Sequence, residues 1–356
     1  MELTLYTPGH GIFMDSLIMY GMTSPIPHEE YEIRGSRDFF EIKIRDMNLE
    51  SYAEKLRSSI FSKREHILQL LVDRLKLVQK RSRSKLQECM DQCMNLDFLI
   101  NGLREYLRPG HAEREGRDCR VKRAQTAWLP LYPHLGKYLT GEFKYSQKEY
   151  RVCPTCIVLA SLGLVEGSMI VRGLRLRMNA ILITFEGKVS GRTLNRVLTY
   201  LREDEVVRAI GSEKRLRQAA DILPLNAFLG LIFACFAGDV LAELYYSDAS
   251  FLAESLTFEI SRGVVQIRGY EEIPVDGYLS SLVNLVEKGG GAELSRLRDV
   301  LKMLLDRGEA SAIDAIYQFL TTRRPEDLYR ASRLIAKALE RGFGKDLCRS
   351  LASIIT

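Results

Sequence analysis

Cys153 and Cys156, in the segment YRVCPTCIVLASLGL at residues 150 to 164, form the sharpest chemical motif of the chain. Two cysteines separated by two residues can present two thiolates to one tetrahedral metal ion, or form a disulfide with its resolving thiol. The redox alternative has some local context, because strand-like EYRV precedes the motif and an apolar helix follows, the order found in thioredoxin-like enzymes. The alternation of strands and helices typical of those enzymes is missing elsewhere in the sequence.

A zinc site would need two ligands besides this cysteine pair. Cys89 and Cys93 fall on the apolar stripe of a predicted helix, which favours their interpretation as core thiols. His111 and Cys119 lie in the segment HAEREGRDC, which is rich in charge and breakers and would gain order from a metal clamp. Zinc is therefore a possible cofactor, and no other is indicated. The candidate metal ligands are Cys153, Cys156, Cys119 and His111.

Other catalytic signatures are missing from the sequence. There is no Walker-type phosphate loop, no H-E-x-x-H, no G-x-S-x-G and no G-x-G-x-x-G. The five histidines, at positions 10, 28, 66, 111 and 134, include no two spaced as paired ligands. His10 lies in a Gly-His-Gly turn, and with Asp15 it is more typical of a turn and cap than of an acid-base pair. The sequence therefore predicts binding rather than catalysis.

Positive charge is concentrated in two segments. Residues 52 to 85 contain ten Lys or Arg against three acids, a net of +7 that exceeds the +5 of the whole chain. Residues 104 to 123 contain seven basic and four acidic side chains. Such clusters attract phosphate backbones, although a solvated helix face is the ordinary alternative. The candidate nucleic-acid-binding residues are Lys76, Lys80, Arg81, Arg83, Lys85, Arg117, Arg120, Lys122 and Arg123.

These residues must be positioned by a mixed set of elements, so the predicted fold class is α+β. Residues 2–6, 31–45, 169–189 and 256–267 have the alternation of strands and together predict one sheet assembled from distant segments. Residues 52–107 keep a helical period of apolar positions almost without a breaker. They predict either one long helix or an antiparallel helical hairpin bent near residues 82–84.

Two domains are predicted. The first, residues 1–276, is a mixed α/β domain that carries the basic helical segment 52–107 and an inserted loop region, 108–150. The second, 277–356, is a C-terminal helical bundle, whose helices are predicted at 278–288, 293–307, 311–321, 325–341 and 346–355. Glycines at 289–291 and 308 separate the first three helices, and Pro325 has the position of a first-turn proline.

The bulk composition bounds the class of protein. With 356 residues, 46% of them hydrophobic, the chain can bury a large core. Its best candidate for a membrane span, residues 225–238, contains Asn226 and is followed by Asp239, so a buried helix is predicted there instead. The N-terminus resembles no secretion signal, and the seven cysteines form no regular framework. We therefore expect a reduced, cytoplasmic protein without a membrane partner.

Two motifs resemble those of a known family. The N-terminal segment TPGHGIFMDSLIMYGM contains D-x-L-x-x-x-G, and the central segment contains C-P-x-C followed by a helix with Ala and Gly. Together with a C-terminal helical bundle, they are similar to the large subunit of the archaeal subtype I-A CRISPR surveillance complex, called Cascade. The matching residues are Asp15, Leu17, Gly21, Cys153, Pro154, Cys156, Ala160 and Gly163.

The resemblance implies a non-catalytic subunit of an antiviral complex that is directed by a guide RNA. Such a subunit would bind the 5′ end of the guide RNA, recognise the short motif beside the double-stranded DNA target and support target unwinding. Its partners would include the backbone and small subunits of Cascade and a helicase-nuclease effector. Two alternatives from other classes are a cytoplasmic thiol- or metal-dependent enzyme that uses CPTC, and a helical scaffold protein without nucleic-acid binding.

Overall fold

The computed structural model describes residues 2–75, 83–112, 119, 125–126, 151–174, 177–261, 264–339 and 341–352. Three short strands open the chain: β1 (Glu2–Tyr6), β2 (Tyr31–Gly35) and β3 (Phe40–Arg45). The alternation of β3 buries Phe40, Ile42 and Ile44, while the side chains between them face outward. β3 pairs antiparallel with both β1 and β2, with Ile42 opposite Leu5 and Ile33.

The predicted assembly of one sheet from distant segments is confirmed. Two-residue strands β4 (Gln125–Thr126) and β5 (Arg151–Val152) pair with each other. The longer strands that follow are β6 (Ser168–Arg172), β7 (Arg177–Ser190), β8 (Ala249–Ser261) and β9 (Val264–Pro274). The seven-stranded sheet has the order β1-β3-β2-β7-β8-β9, and β6 also pairs with β7. In the antiparallel pair of β2 with β7, Ile33 lies opposite Val189.

The first helix, α1 (Ile12–Thr23), is the buried core helix that its apolar stripe predicts. Eleven of its twelve residues are buried, among them Asp15. Its N-cap is Gly11, whose φ of 122° lies in the region that favours glycine.

The basic helical segment is a helical hairpin rather than one long helix. It comprises α2 (Leu49–Leu68), a π-helical turn at Gln69–Arg74, α3 (Arg83–Met94), α4 (Leu96–Arg104) and a 3₁₀ turn at Glu105–Leu107. Asn48 and Asn95 cap α2 and α4 by accepting a backbone N–H three residues on. α2 packs against both α3 and α4, and its apolar stripe, including Leu56 and Ile60, is buried.

The helix that follows the CPTC motif, α5 (Pro154–Gly167), packs closely against α1. Glycine makes this approach possible: a Cβ at Gly21 would lie 2.1 Å from the carbonyl oxygen of Leu159, and one at Gly163 would lie 1.7 Å from that of Leu17. Both helices are almost wholly apolar and buried, so the pair forms a large part of the core around the site.

Ten further helices are described. Five connect the long strands: α6 (Gly191–Leu201), α7 (Glu203–Ile210), α8 (Glu213–Ile222), α9 (Leu225–Ala234) and α10 (Gly238–Tyr245). The last five confirm the predicted C-terminal helices: α11 (Asp276–Gly289), α12 (Gly291–Asp306), α13 (Ala310–Thr322), α14 (Pro325–Ala338) and α15 (Arg341–Ala352). α9 is the buried helix expected near residues 225–238, with only Asn226 of its ten residues not buried.

The chain groups into two compact units. The first unit contains residues 1–168, 181–195 and 256–271, and the second contains 169–180, 196–255 and 272–356. Within the second unit, the hydroxyl of Tyr278 on α11 donates to the carbonyl of Gly230 on α9 at 2.8 Å. Independent folding of residues 277–356 stays a prediction.

No single helix of the described ranges combines the length and apolar character of a membrane span. One bent pair, α9 with α10 at 115°, reaches that length and composition only when its two helices are taken together.

Candidate metal centre

The start of α5 places the two cysteines of the CPTC motif side by side. Cys153 is the N-cap, and its Sγ accepts the backbone N–H of Cys156 at 3.4 Å. Pro154 occupies the first turn, where its missing N–H costs nothing. The Sγ atoms of Cys153 and Cys156 therefore lie within 4.8 Å of each other at the start of the helix.

Backbone hydrogen bonds bring the other two predicted ligands to this point. The N–H of Cys119 donates to the carbonyl of Arg151 at 3.0 Å, which holds Cys119 beside the residues that lead into CPTC. Ala112 forms an antiparallel bridge with Cys119, and its own N–H donates to the carbonyl of Pro8 at 2.9 Å. His111 is thereby fixed next to the same cluster.

The four predicted ligands meet. One donor atom each from His111, Cys119, Cys153 and Cys156 lies within 4.8 Å of all the others. The Sγ atoms of Cys119 and Cys156 are 3.6 Å apart, and the Sγ of Cys153 lies 3.5 Å from Nε2 of His111. All four side chains are buried. The group could hold a metal ion, and three thiols with one imidazole are the donor set of structural zinc sites.

His10 adds a fifth polar group to this cluster. Its Nε2 lies 3.3 Å from Sγ of Cys156 and 3.4 Å from Sγ of Cys119, and the residue is fully buried. The turn that carries it depends on Gly9 and Gly11, which have φ values of 90° and 122°. The carboxylate of Asp15 accepts the N–H groups of these two glycines at 2.9 and 2.7 Å. Asp15 thus caps the turn, as its pairing with His10 in the sequence predicts.

Tyr106 closes the cluster from the side of the 3₁₀ turn. Its hydroxyl oxygen lies 2.9 Å from Sγ of Cys156, and its ring stacks on His111 with centroids 5.3 Å apart. Nδ1 of His111 faces the carboxylate of Glu105 at 4.0 Å. A carboxylate on the outer nitrogen of a ligating histidine is a common arrangement around protein-bound zinc.

The thiols of the cluster differ in acidity. Hydrogen bonds from Cys119 and Cys156 hold the pKa of the Cys153 thiol well below its usual value, and the neighbouring His111 adds to this. Burial raises the pKa of Cys156, and the hydrogen bond to Cys153 raises that of Cys119. One thiolate is therefore favoured at Cys153, where two neighbouring thiols stabilise its charge.

Cys89 and Cys93 are core thiols, as the sequence predicts. Both are fully buried on α3. Burial raises the pKa of Cys89 to about 12, so its thiol stays protonated at neutral pH.

Comparison with known proteins decides the family. A family model described as "CRISPR-associated protein (Cas_Csa4)" matches residues 3–356. The chain belongs to this family. A protein named "CRISPR system associated protein Cas8" from Thermoproteus tenax is 31% identical over 197 residues, and the match covers 47% of this chain and 52% of that protein. The chain is thus matched to about half the length of this relative. Family membership confirms the resemblance to an archaeal Cascade large subunit.

In this Cas_Csa4 protein, only two of the nine candidate nucleic-acid-binding residues lie within the described ranges. Lys85 is exposed on α3. Arg83 is partly exposed, and one of its guanidinium nitrogens lies 3.4 Å from the Asp73 carboxylate. The remaining seven fall outside those ranges: Lys76, Lys80, Arg81, Arg117, Arg120, Lys122 and Arg123. Their role stays a prediction.

Acids from elsewhere in the chain balance part of the positive charge of α2. Lys55 pairs with Glu30 at 3.6 Å, Lys63 with Glu166 at 2.8 Å, and Arg64 with Asp91 at 2.7 Å. Because these three acids lie outside residues 52–85, the ion pairs neutralise part of the net charge of +7 that was counted over that range in this Cas_Csa4 protein.

The sequence alone does not assign two members of the site. It indicates a turn at His10, but the contact of this residue with the sulfurs depends on how α1 packs beside α5. Tyr106 continues the face of α4 that buries Leu99 and Leu103, so in the sequence it resembles an ordinary core aromatic residue. The only signal in the sequence that distinguishes His10 is the rarity of histidine, with five in 356 residues.

Proposed function

We propose that this chain is the non-catalytic large subunit of a Cascade complex that uses a guide RNA to find target DNA. The match of the Cas_Csa4 family model to residues 3–356 is the observation that carries this proposal. The subunit binds the 5′ end of the guide RNA and the short DNA motif beside the target, and it supports unwinding of the double-stranded DNA. In such complexes base pairing reads the target sequence, while protein holds the phosphates and reads the adjacent motif.

The partners follow from this role. They are the guide RNA, the target DNA, the backbone and small subunits of Cascade, and a helicase-nuclease effector. The exposed Lys85 and the basic residues around it supply positive charge for a phosphate backbone. The setting is the cytoplasm, where the described cysteines, all of them free thiols, stay reduced.

A role in binding rather than turnover is supported by the burial of the reactive groups. Cys156 and His10 are fully buried, and Cys153 is only 5% exposed. A catalytic thiol must reach its substrate, whereas a buried cluster of this kind suits a structural role. This favours the surveillance subunit over the alternative of a thiol-dependent enzyme.

The decisive experiment is copurification from the native host. The tagged full-length chain is expected to bring down small guide RNAs together with the other Cascade subunits. A chain that is recovered folded but without RNA or subunits would contradict the proposal. A matched purification of an unrelated tagged protein from the same cells sets the background level of RNA.

A further inference from the structure

The cluster beside α5 has the features of a closed metal site. We propose that His111, Cys119, Cys153 and Cys156 bind one structural Zn²⁺ ion, and that His10 and Tyr106 donate hydrogen bonds to its sulfur ligands. This goes beyond the Cascade role, because nothing in that role requires a metal in this subunit.

The four donor groups fit a zinc ion whose coordination is complete. Zinc in structural sites takes four ligands in a tetrahedron, most often thiolates and imidazoles. The observed separations, 3.6 Å between two sulfurs and 3.5 Å between a sulfur and a nitrogen, are close to the edge lengths of a tetrahedron with zinc bonds of about 2.0 to 2.3 Å. With four protein ligands, no coordination position is left for water or substrate, so the ion has a structural role.

Binding of Zn²⁺ would change the net charge of the buried cluster. All three sulfurs bind Zn²⁺ as thiolates, so any proton that remains on Cys119, Cys153 or Cys156 passes to solvent when the ion binds. Three thiolates with one divalent ion leave a net negative charge inside the protein, which is costly unless donors surround it. Three donors are present: the N–H of Cys156 at 3.4 Å from Sγ of Cys153, the hydroxyl of Tyr106, and Nε2 of His10. His10 faces both remaining sulfurs, which explains a buried imidazole at this position.

The ion would join the segment that carries His111 and Cys119 to the start of α5, and His10 would attach a third segment through its contacts with the sulfurs. His10 precedes α1, His111 and Cys119 follow the helical hairpin, and Cys153 and Cys156 begin α5. Because the unfolded chain holds no preformed site, the free energy of metal binding adds to the stability of the fold. The ends of α1 and α5 nearest the site should loosen when the ion is removed.

The first test measures metal in the full-length protein, purified without a metal-binding tag from cells supplied with zinc. About one zinc per chain is expected in the wild type. Cys156→Ser should lose most of it, whereas Cys235→Ser should keep it. Cys235 is the matched control, because it is a buried thiol of the second unit whose contact with the carbonyl of Leu231 a serine hydroxyl can reproduce.

A wild-type chain without bound metal, or equal zinc in Cys156→Ser, would overturn the proposal. Should Cys156→Ser fail to fold, cobalt added to the wild-type apoprotein provides the readout. Tetrahedral thiolate coordination gives intense visible bands, and their absence would overturn the proposal equally. Both outcomes are independent of guide-RNA copurification, so the failure of one proposal is distinguishable from the failure of the other.

The second test separates ligands from outer donors. His111→Ala should remove the ion, whereas His10→Ala and Tyr106→Phe should keep one ion per chain and weaken zinc affinity about 10- to 100-fold. Competition with a chromophoric chelator measures the affinity. Full retention of zinc by His111→Ala, with loss in His10→Ala, would overturn the proposed ligand set and make His10 the fourth ligand.

Discussion

Arg215 on α8 and Asp306 at the end of α12 form a bidentate ion pair. Nε and Nη2 of the guanidinium each lie 2.6 Å from a different oxygen of the carboxylate. These hydrogen bonds hold the pKa of Asp306 below its usual value. Both residues lie in the second unit, where the neighbouring Gln218 also donates to the carbonyl of Leu305 at 2.9 Å.

Stability should depend on this pair in a defined pH range. Because the pKa of Asp306 is lower in the folded protein than in the unfolded chain, the pair stabilises the fold fully above the unfolded pKa, near 3.8. The contribution disappears as the pH falls through the folded value. We expect Asp306→Asn to lower the free energy of unfolding at pH 7 by about 0.5 to 1 kcal/mol, since both side chains are partly exposed.

Urea unfolding of wild type and variant from pH 7 down to about 3 measures this effect. The difference should shrink below a pH of about 4. Asp299→Asn is the control, because Asp299 has a single 3.1 Å contact with Lys302. A constant difference across the whole range would contradict the assignment.

The close approach of α1 and α5 predicts a large cost for any side chain at the crossing. Gly21→Ala or Gly163→Ala should destabilise the protein by about 1 to 3 kcal/mol or more, because the added Cβ meets backbone atoms that no rotamer change can move away. Denaturant unfolding measures the change. Gly291→Ala, at the start of α12, is the control, since nothing lies within 4 Å of its Cβ position. Equal effects at Gly21 and Gly291 would contradict the packing.

The basic segment 52–107 is predicted to contribute to nucleic-acid binding. Replacing Lys80, Arg81, Arg83 and Lys85 together with Glu should abolish nucleic-acid association and leave the melting temperature nearly unchanged. Lys85 is exposed and Arg83 is partly exposed, and charges of this kind contribute little to folding. Each phosphate contact, by contrast, contributes about 0.9 to the slope of log affinity against log salt concentration. Shift assays across a salt series measure both quantities.

A variant with four exposed basic residues reversed elsewhere controls for net charge. Suitable positions are Arg34, Arg192, Lys214 and Lys337. Unaltered nucleic-acid binding by the variant at residues 80–85 would show that the segment is only a solvated helix face. Equal loss of binding in both variants would show that only net charge matters.

The C-terminal helices predict an effect on target DNA rather than on guide RNA. Arg324, Arg330 and Arg333 are exposed at the start and along the first turns of α14, whereas Arg323 donates to Ser281 at 2.9 Å and is engaged within the fold. Reversing the first three to Glu should reduce R-loop formation by reconstituted complexes several-fold and leave guide-RNA association intact. Normal unwinding of target DNA by this variant would show that these α14 side chains do not contact DNA or the small subunits.

Much of this fold follows from local patterns. Apolar spacing and the positions of Gly and Pro predict the five C-terminal helices, the buried helix near residue 225 and the strand alternation of β3. They do not decide between one long helix and a hairpin, because the apolar stripe of α2 and α3 has the same period in either case. The pairing of α2 with α4 depends on burial against the rest of the first unit.

The Cys/His cluster divides in the same way. The sequence can separate His111 and Cys119 from Cys89 and Cys93, because residues in a breaker-rich segment can be distinguished from thiols on an apolar stripe. The contribution of His10 cannot be predicted in this way, since its contact with Cys156 spans 146 positions and arises only when α1 packs on α5.

The hydrogen bond between Cys119 and Arg151 holds two residues that are 32 positions apart in sequence side by side next to the cluster. The entropic cost of bringing two chain positions together rises only logarithmically with the number of residues between them, so added residues between these two positions should cost little stability. An affinity peptide or a fluorescent label inserted between residues 127 and 150 would lie outside the predicted nucleic-acid-binding residues, so it should report on the assembled complex without disturbing the cluster.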